Sequence, residues 1–406
     1  MHEKSSSIWL SLSLAALLVS SFVPQPAGAE DAVIRFGASL ALTGVDAKLG
    51  NLTRDGYDFY ARKVNSLGGL EVGSKSYRIE IVYYDDESNI RTATRLVEKL
   101  ITEEKIFFIL GPYGSGATYA TSAITEKHGA VMLEANGAAD KIFTRNFRNL
   151  FATLTTASQY FGSVLELAAA QSPRPRTVAF ISENDLFAKE SMEGGVRAAK
   201  DMGFKVVFAK TYPKGAKDIS SLLTLVKMKQ PDILLGSGHI ADSFLLVRQA
   251  KDLKLNAKIL GSTVGPPVPD FVNSLKADAE CVVAPTQWHN TLAYPDPLFG
   301  DAVQYTKEFE ETYGYPPDYH AAQSTAAMIA YGEAIKRAGC LDVERVRDAL
   351  AGLDIMTFFG PIRFNERGMN VAKSMAVLQI QDGKRRVVWP PEVAETALVY
   401  PKPPWN

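Results

Sequence analysis

Apolar runs rich in β-branched and aromatic residues recur along the chain, each bounded by turn residues, and each reads as a strand. The first set is Val33–Leu40, Tyr77–Tyr84, Ile106–Leu110, Ala130–Leu133 and Leu150–Leu154. The second is Thr177–Ile181, Lys205–Lys210, Asp232–Leu235, Lys258–Leu260 and Cys281–Pro285. Stretches of helical period lie between them: Arg54–Ser66, Arg91–Glu103, Glu190–Met202, Ile219–Lys229 and Asp242–Leu253. Strand-helix alternation, run through twice, predicts an α/β protein of two doubly wound lobes with mostly parallel sheets. The unbroken apolar character of the strands fits sheets buried on both faces.

The rhythm changes after Pro285. A loop containing Tyr294-Pro295-Asp296-Pro297 leads to helical stretches Phe299–Tyr313 and His320–Ala338, then Val343–Ala351, then strand-like Ile362–Asn365 and Met375–Gln381. This tail has too few strands for a third sheet, so the chain is expected to return to the first lobe and then cross once more. The resulting assignment is residues 30–152 and 286–356 to the N-terminal lobe, and 153–285 and 357–406 to the C-terminal lobe. Repeated crossings make a hinge, and ligands favour such interfaces and the carboxyl ends of strands.

The first 29 residues stand apart. A short basic head, a diluted apolar stretch from Ile8 to Val19 and Ala27-Gly28-Ala29 read as a secretory signal peptide, which implies export to the periplasm. Lys plus Arg (44) nearly cancels Asp plus Glu (45), so no charge excess is available for nucleic acid. Two cysteines, Cys281 and Cys340, build neither a metal cluster nor a disulfide framework, although an oxidising compartment permits one bridge.

The chemistry is sparse. Gly111-Pro112-Tyr113-Gly114-Ser115-Gly116 follows a strand and opens a helix, but matches neither a phosphate loop nor a dinucleotide fingerprint. It offers unpaired N–H groups and the Ser115 hydroxyl, which suit one carboxylate, or else forms a plain turn capped by Ser115. Asp85-Asp86-Glu87 reads as capping rather than metal binding, and His128, His239, His289 and His320 show no zinc spacing. No nucleophile elbow is present, so neither an enzyme nor a cofactor or metal is expected. Tyr113, Phe187, Trp288 and Tyr294 fall just past strand ends or in crossover loops, where they would wall an apolar ligand or simply pack.

An ordered series of short motifs resembles a known family. Ile34 to Gly44, Gly56-Tyr57-Asp58-Phe59, Val64 to Leu70, Tyr84-Asp85-Asp86, Gly111–Thr118, Asn136–Phe143, Glu183–Phe187, Leu246 to Ala250 and Gly360 to Phe364 are similar to the leucine/isoleucine/valine-binding proteins, type I solute-binding proteins of ABC importers. The resemblance implies two α/β lobes joined by a three-crossover hinge and closing on a ligand. It implies a carboxylate site at Tyr113, Gly114 and Ser115. A second pocket loop falls on Asn136, Gly137 and Ala138, where Ala138 lacks the hydroxyl that the family often carries. Phe187 and His239 take the places of second-lobe aromatics. Thr263 stands near the acidic residue that holds the ammonium group in the branched-chain binders.

Two ligands follow from this resemblance. One is a branched-chain or hydrophobic amino acid whose ammonium finds another partner, for which Asp185 or Glu134 would serve. The other is a carboxylate without an ammonium, an aromatic or 2-oxo acid, walled by Tyr113, Phe187 and Trp288, because an unpaired buried ammonium is costly. The expected protein is a monomeric receptor that delivers its ligand to a membrane permease. A ligand-binding sensory module of the same fold is the alternative.

Overall fold

The computed structural model describes His2 and residues 32–405, so the expected signal peptide lies outside the described residues. The first half contains β1 (Val33–Leu40), α1 (Ala47–Ser66), β2 (Leu70–Val72), β3 (Lys75–Asp85), α2 (Ile90–Thr102), β4 (Phe108–Leu110), α3 (Ser115–His128), β5 (Val131–Glu134) and β6 (Leu150–Ala152). The second contains α4 (Tyr160–Ala169), β7 (Thr177–Glu183), α5 (Leu186–Asp201), β8 (Lys205–Tyr212), α6 (Ser220–Met228), β9 (Ile233–Ser237), α7 (Ile240–Asp252), β10 (Ile259–Ser262), α8 (Pro269–Leu275) and β11 (Val282–Thr286). The return adds the ribbon β12 (Pro295–Asp296) and β13 (Gly300–Asp301), α9 (Ala302–Tyr313), α10 (Tyr319–Ala338), α11 (Val343–Ala351), the hairpin β14 (Asp354–Thr357) and β15 (Gly360–Arg363), then β16 (Ala376–Gln381) and β17 (Lys384–Trp389).

The strands form two sheets. The first runs β2-β3-β1-β4-β5-β6, parallel except for β2; Ala38 of β1 lies opposite both Tyr83 and Leu110. The second runs β17-β16-β11-β10-β9-β7-β8, with β16 and β17 the antiparallel members. Alternation along each strand serves two cores. Ile34, Phe36, Ala38 and Leu40 of β1 face α1 and α10, whereas a Cβ on Gly37 would lie 3.1 Å from Leu100 of α2. In β7, Val178 and Phe180 face α4 and α5, while Ala179 and Ile181 face α6, α7 and α8. In each sheet the order reverses once along the parallel strands, between β1 and β4 and between β7 and β9, and a crevice opens at the carboxyl ends there.

Helix α10 shows how the return segment is held. Asp318 caps it by accepting from the N–H groups of His320 and Ala321, and Gly339 ends it in the left-handed region. All but three of its twenty residues are buried, which a sequence rich in Ala permits because α1 can approach closely. Its polar residues are satisfied inside the core: Ser324 donates to the His320 carbonyl at 2.7 Å and Thr325 to the Gly56 carbonyl at 2.7 Å.

The chain passes between the sheets three times, after β6, after β11 and after β15. Gln287 in the second passage joins all three. Its amide accepts from Thr155 N at 3.1 Å and donates to Thr155 O at 2.8 Å, while its backbone carbonyl accepts from Lys373 Nζ. Lys373 is buried over the Phe359 ring with no carboxylate beside it among the described residues, and burial pushes its pKa far down. One boundary differs from the sequence assignment. Residues 357–365 do not belong with the second lobe: Phe358, Phe359, Ile362 and Phe364 pack into the first-sheet core, and Phe364 meets Phe151 edge-on at 5.2 Å. The aromatic demand of that core, where Tyr305 stacks on Phe358 at 3.7 Å, moves the crossing toward residue 370.

Cys281 and Cys340 are both free thiols, one in the second sheet's lobe and one packed against the first core. No described helix is long and apolar enough to cross a membrane.

Candidate functional site

The two crevices at the sheet reversals face one another. After β4 the chain turns through Gly114, whose φ of +88° lies in the region open to glycine. Gly114 N donates to Asn136 O, and the helical ladder of α3 begins at Thr118 N to Gly114 O. The N–H groups of Ser115, Gly116 and Ala117 in the first turn therefore have no intrahelical acceptor and carry the positive end of the helix dipole. Ser115 Oγ accepts from Ala139 N at 3.0 Å, which leaves its own proton for another acceptor.

From the other lobe, β7 leads two residues on to Asp185, which caps α5, and β9 leads two residues on to His239, which stands at the N-cap of α7. His239 Nε2 lies 3.4 Å from Asp185 Oδ1, and Lys214 Nζ lies 3.6 Å from Asp185 Oδ2. His239 Nδ1 lies 2.9 Å from the Tyr113 hydroxyl, a hydrogen bond across the cleft. Burial alone would lower the His239 pKa, but Asp185, with Asp46 and Glu183 beyond it, outweighs burial and raises it to about 9. The same partnership works in reverse on Asp185: burial opposes ionisation, yet His239, Lys214 and the Ala188 N–H hold its carboxyl well below the usual range. At neutral pH His239 is a cation with both ring N–H groups donating, one to Asp185 and one to the Tyr113 oxygen. The Tyr113 proton then remains available.

The cavity between the lobes has a volume of about 20 Å³, close to the space of one water, so any larger ligand requires the lobes to part about the hinge. Seven of the ten candidates from sequence line it: Tyr113, Gly114, Ser115, Asn136, Ala138, Phe187 and His239. Three do not. Gly137 turns its backbone to Glu134, and a Cβ there would run into Thr118. Thr263 is fully buried with its hydroxyl engaged on the Gly238 loop, donating to Gly238 O at 2.8 Å and accepting from Gly238 N at 3.1 Å. Its neighbour Val264 faces the cavity instead. Trp288 packs in the first-lobe core, edge-on to Tyr305 and Phe358, with Nε1 donating to Phe358 O at 3.1 Å. Tyr294, also weighed as a wall residue, lies near Gly360 and a small cluster with Leu292. For Trp288→Phe we expect a stability loss of about 1–2 kcal/mol, from one hydrogen bond and one vacated buried carbonyl, with ligand affinity within twofold by calorimetry.

Sequence reasoning missed Leu154, Tyr160, Tyr319, His320 and Gln323 on the cavity wall. Tyr160 meets Phe187 edge-on at 5.1 Å and its hydroxyl accepts from Gln287, which couples the wall to the hinge. His320 Nδ1 pairs with Asp318 at 2.7 Å, and the ring stacks on Tyr319 at 3.9 Å. An N-cap Asp just before two aromatic rings was the available signal.

Beneath the floor, Glu134 is fully buried. Its carboxyl accepts from Thr118 Oγ1 at 2.9 Å and from Asn136 N, and burial lifts its pKa to about 7. Asp85 accepts from Leu42 N, Thr43 N and Glu87 N, the work of a loop cap. Among the described residues no group of acidic, His and Cys side chains could hold a metal ion.

A family profile described as "Periplasmic binding protein" matches residues 33–385. The chain is 26% identical over 409 residues to Leu/Ile/Val-binding protein homolog 7 of Brucella suis, covering 97% of this chain and 99% of the relative. The fold is shared with a leucine-binding protein of Thermotoga maritima, at TM-score 0.78 and 19% identity over 87% of this chain and 97% of that one. It is shared too with a Rhodopseudomonas palustris solute-binding protein of an ABC transporter in complex with benzoate, at TM-score 0.73 and 22% identity over 88% and 95%. With two mostly parallel sheets, three crossings and a cavity between the lobes, this chain belongs to the periplasmic binding protein family and has its type I fold.

Proposed function

We propose that the protein is the exported receptor of an ABC importer. It captures a small aromatic carboxylate that lacks an ammonium group and presents the closed form to a membrane permease. One observation carries the choice of ligand: the three carboxylates packed against the cavity wall and floor, Asp185, Asp318 and Glu134, are each already engaged. Asp185 is held by His239, Lys214 and the α5 cap; Asp318 by His320 and the α10 cap; Glu134 by Thr118 and Asn136 N. An ammonium there would have to compete with His239, Lys214 and His320 for those carboxylates, or draw on Asp46 and Glu183 farther out. A carboxylate finds the first turn of α3, the Ser115 hydroxyl and the Tyr113 proton, with six rings (Tyr113, Tyr160, Phe187, His239, Tyr319 and His320) around it.

The second reading, a branched-chain amino acid, draws on the names of the relatives and on the Gln323 carbonyl oxygen, which an ammonium would meet as a neutral acceptor. A thermal-shift screen separates the two. Aromatic acids at a hundredfold excess over Kd should stabilise the protein by about 2.7 kcal/mol, and leucine, isoleucine and valine should not. A shift with amino acids alone would reverse the choice. Within the favoured reading, Ser115→Ala removes a hydrogen bond to the ligand carboxylate and should weaken binding by about 1–3 kcal/mol in calorimetry. Unchanged affinity would take Ser115 out of the site.

A further inference from the structure

We propose that Gln323 makes the site selective for aromatic acids carrying a ring hydroxyl, an inference that rests on the aromatic-acid reading above. Gln323 sits on α10 in the cavity wall and is fully buried. Its Nε2 donates to Asn136 Oδ1 at 2.6 Å, Asn136 Nδ2 donates to Ser324 Oγ at 2.9 Å, and Ser324 Oγ donates to the His320 carbonyl at 2.7 Å. This relay fixes which way the amides point. Turning Gln323 alone would set two carbonyl oxygens against each other, and turning both amides would cost Ser324 its bond to His320. Gln323 Oε1 is thereby left as an acceptor with no partner among the described residues.

A buried acceptor of this kind discriminates strongly. A ligand that donates to it is rewarded, and one that covers it with a C–H leaves it desolvated and unpaired. The other polar features of the cavity point the opposite way: the α3 first turn and Ser115 are donors, suited to a carboxylate. The complementary ligand is an anion at one end and an O–H donor elsewhere on its ring. A hydroxyl serves better than an ammonium, because the acceptor is neutral and offers a buried cation no counter-charge.

The test is calorimetric titration of the wild-type protein with benzoate, its three hydroxybenzoates and the matching fluorobenzoates, which keep the added bulk without the proton. One hydroxybenzoate should bind about 10- to 100-fold more tightly than benzoate and its own fluoro analogue. In Gln323→Met that gap should close to less than threefold. Equal affinity of the hydroxy and fluoro partners in the wild-type protein would overturn the assignment of Gln323 and leave the aromatic-acid reading standing. A gap that persists in folded Gln323→Met, checked by its melting temperature, would overturn it as well. Should that variant fail to fold, the hydroxy-to-fluoro ratio in the wild-type protein decides. Binding of leucine with no response to any aromatic acid would remove the reading beneath it.

Discussion

Replacement of Gly56 by alanine is expected to destabilise the protein by about 2–3 kcal/mol, although Gly→Ala in a helix ordinarily gains about 1 kcal/mol. The reason is the α1–α10 crossing. A Cβ on Gly56 would run into the Ala321 carbonyl oxygen and lie 2.8 Å from Ser324 Cβ and 2.9 Å from the Ala321 carbonyl carbon. Most of what it meets is backbone, which cannot swing aside, so the helices must separate and lose packing along their length. Separation would also stretch the 2.7 Å bond from Thr325 Oγ1 to Gly56 O. Because α10 carries His320 and Gln323, ligand affinity should fall with stability. Gly162→Ala in α4 is the control, since a Cβ there meets nothing within 4 Å, and it should be neutral or stabilising. Urea denaturation of both variants measures the difference, and equal stabilities would mean that α1 and α10 do not cross this closely.

The second large effect is on pH dependence. His239 has a folded pKa of about 9 against an ordinary 6.5, so its contribution is complete below about pH 6.5 and is lost as pH rises through 9. Asp185 is depressed, so its contribution is complete above the ordinary carboxylate value of 3.8 and is lost as pH falls below it. The pair is worth most between those limits. An upward shift of this size corresponds to roughly 3 kcal/mol, shared with Asp185 rather than added to it. Wild-type protein should lose about 2–3 kcal/mol of unfolding free energy between pH 6.5 and 9.5, whereas His239→Gln should lose under 1 kcal/mol. Parallel decline of the two proteins would show that the imidazole is not held charged. Loss of the cation should also weaken capture of an anion, so affinity of the wild-type protein should fall over the same interval.

How much of this could be read from the sequence depended on whether the determinant was local. The strand runs and the β4-to-α3 turn at Tyr113–Ser115 were legible because apolar period and glycine punctuation are local signals. The start of α1 was not: Gly50, Asn51 and Thr53 resemble a loop, so the helix was expected from Arg54. In the fold, Gly50 passes against the Ala41 carbonyl, and Asn51 donates to Leu42 O at 3.1 Å and Ala47 O at 2.7 Å, which makes those residues helical requirements. Trp288 was misplaced because a large ring after a strand end serves a core or a cleft equally well, and only the distant Phe358 carbonyl decides between them. Thr263 missed the cavity by one position, because its hydroxyl is drawn to the Gly238 loop and Val264 takes the cavity-facing register. Tyr319, His320 and Gln323 reach the site only through the return of the chain, a tertiary fact that the local Asp318 cap marks as a helix start but not as a cavity wall.

Calorimetric titration of the wild-type protein at neutral pH with benzoate, followed by leucine, tests the charge argument most directly. Saturable heat with the aromatic acid, undisturbed by later leucine, is the result these contacts require. Tight binding of leucine with no heat from benzoate would contradict them, because an ammonium would then have taken Asp185, Asp318 or Glu134 from its present partners or drawn on Asp46 or Glu183.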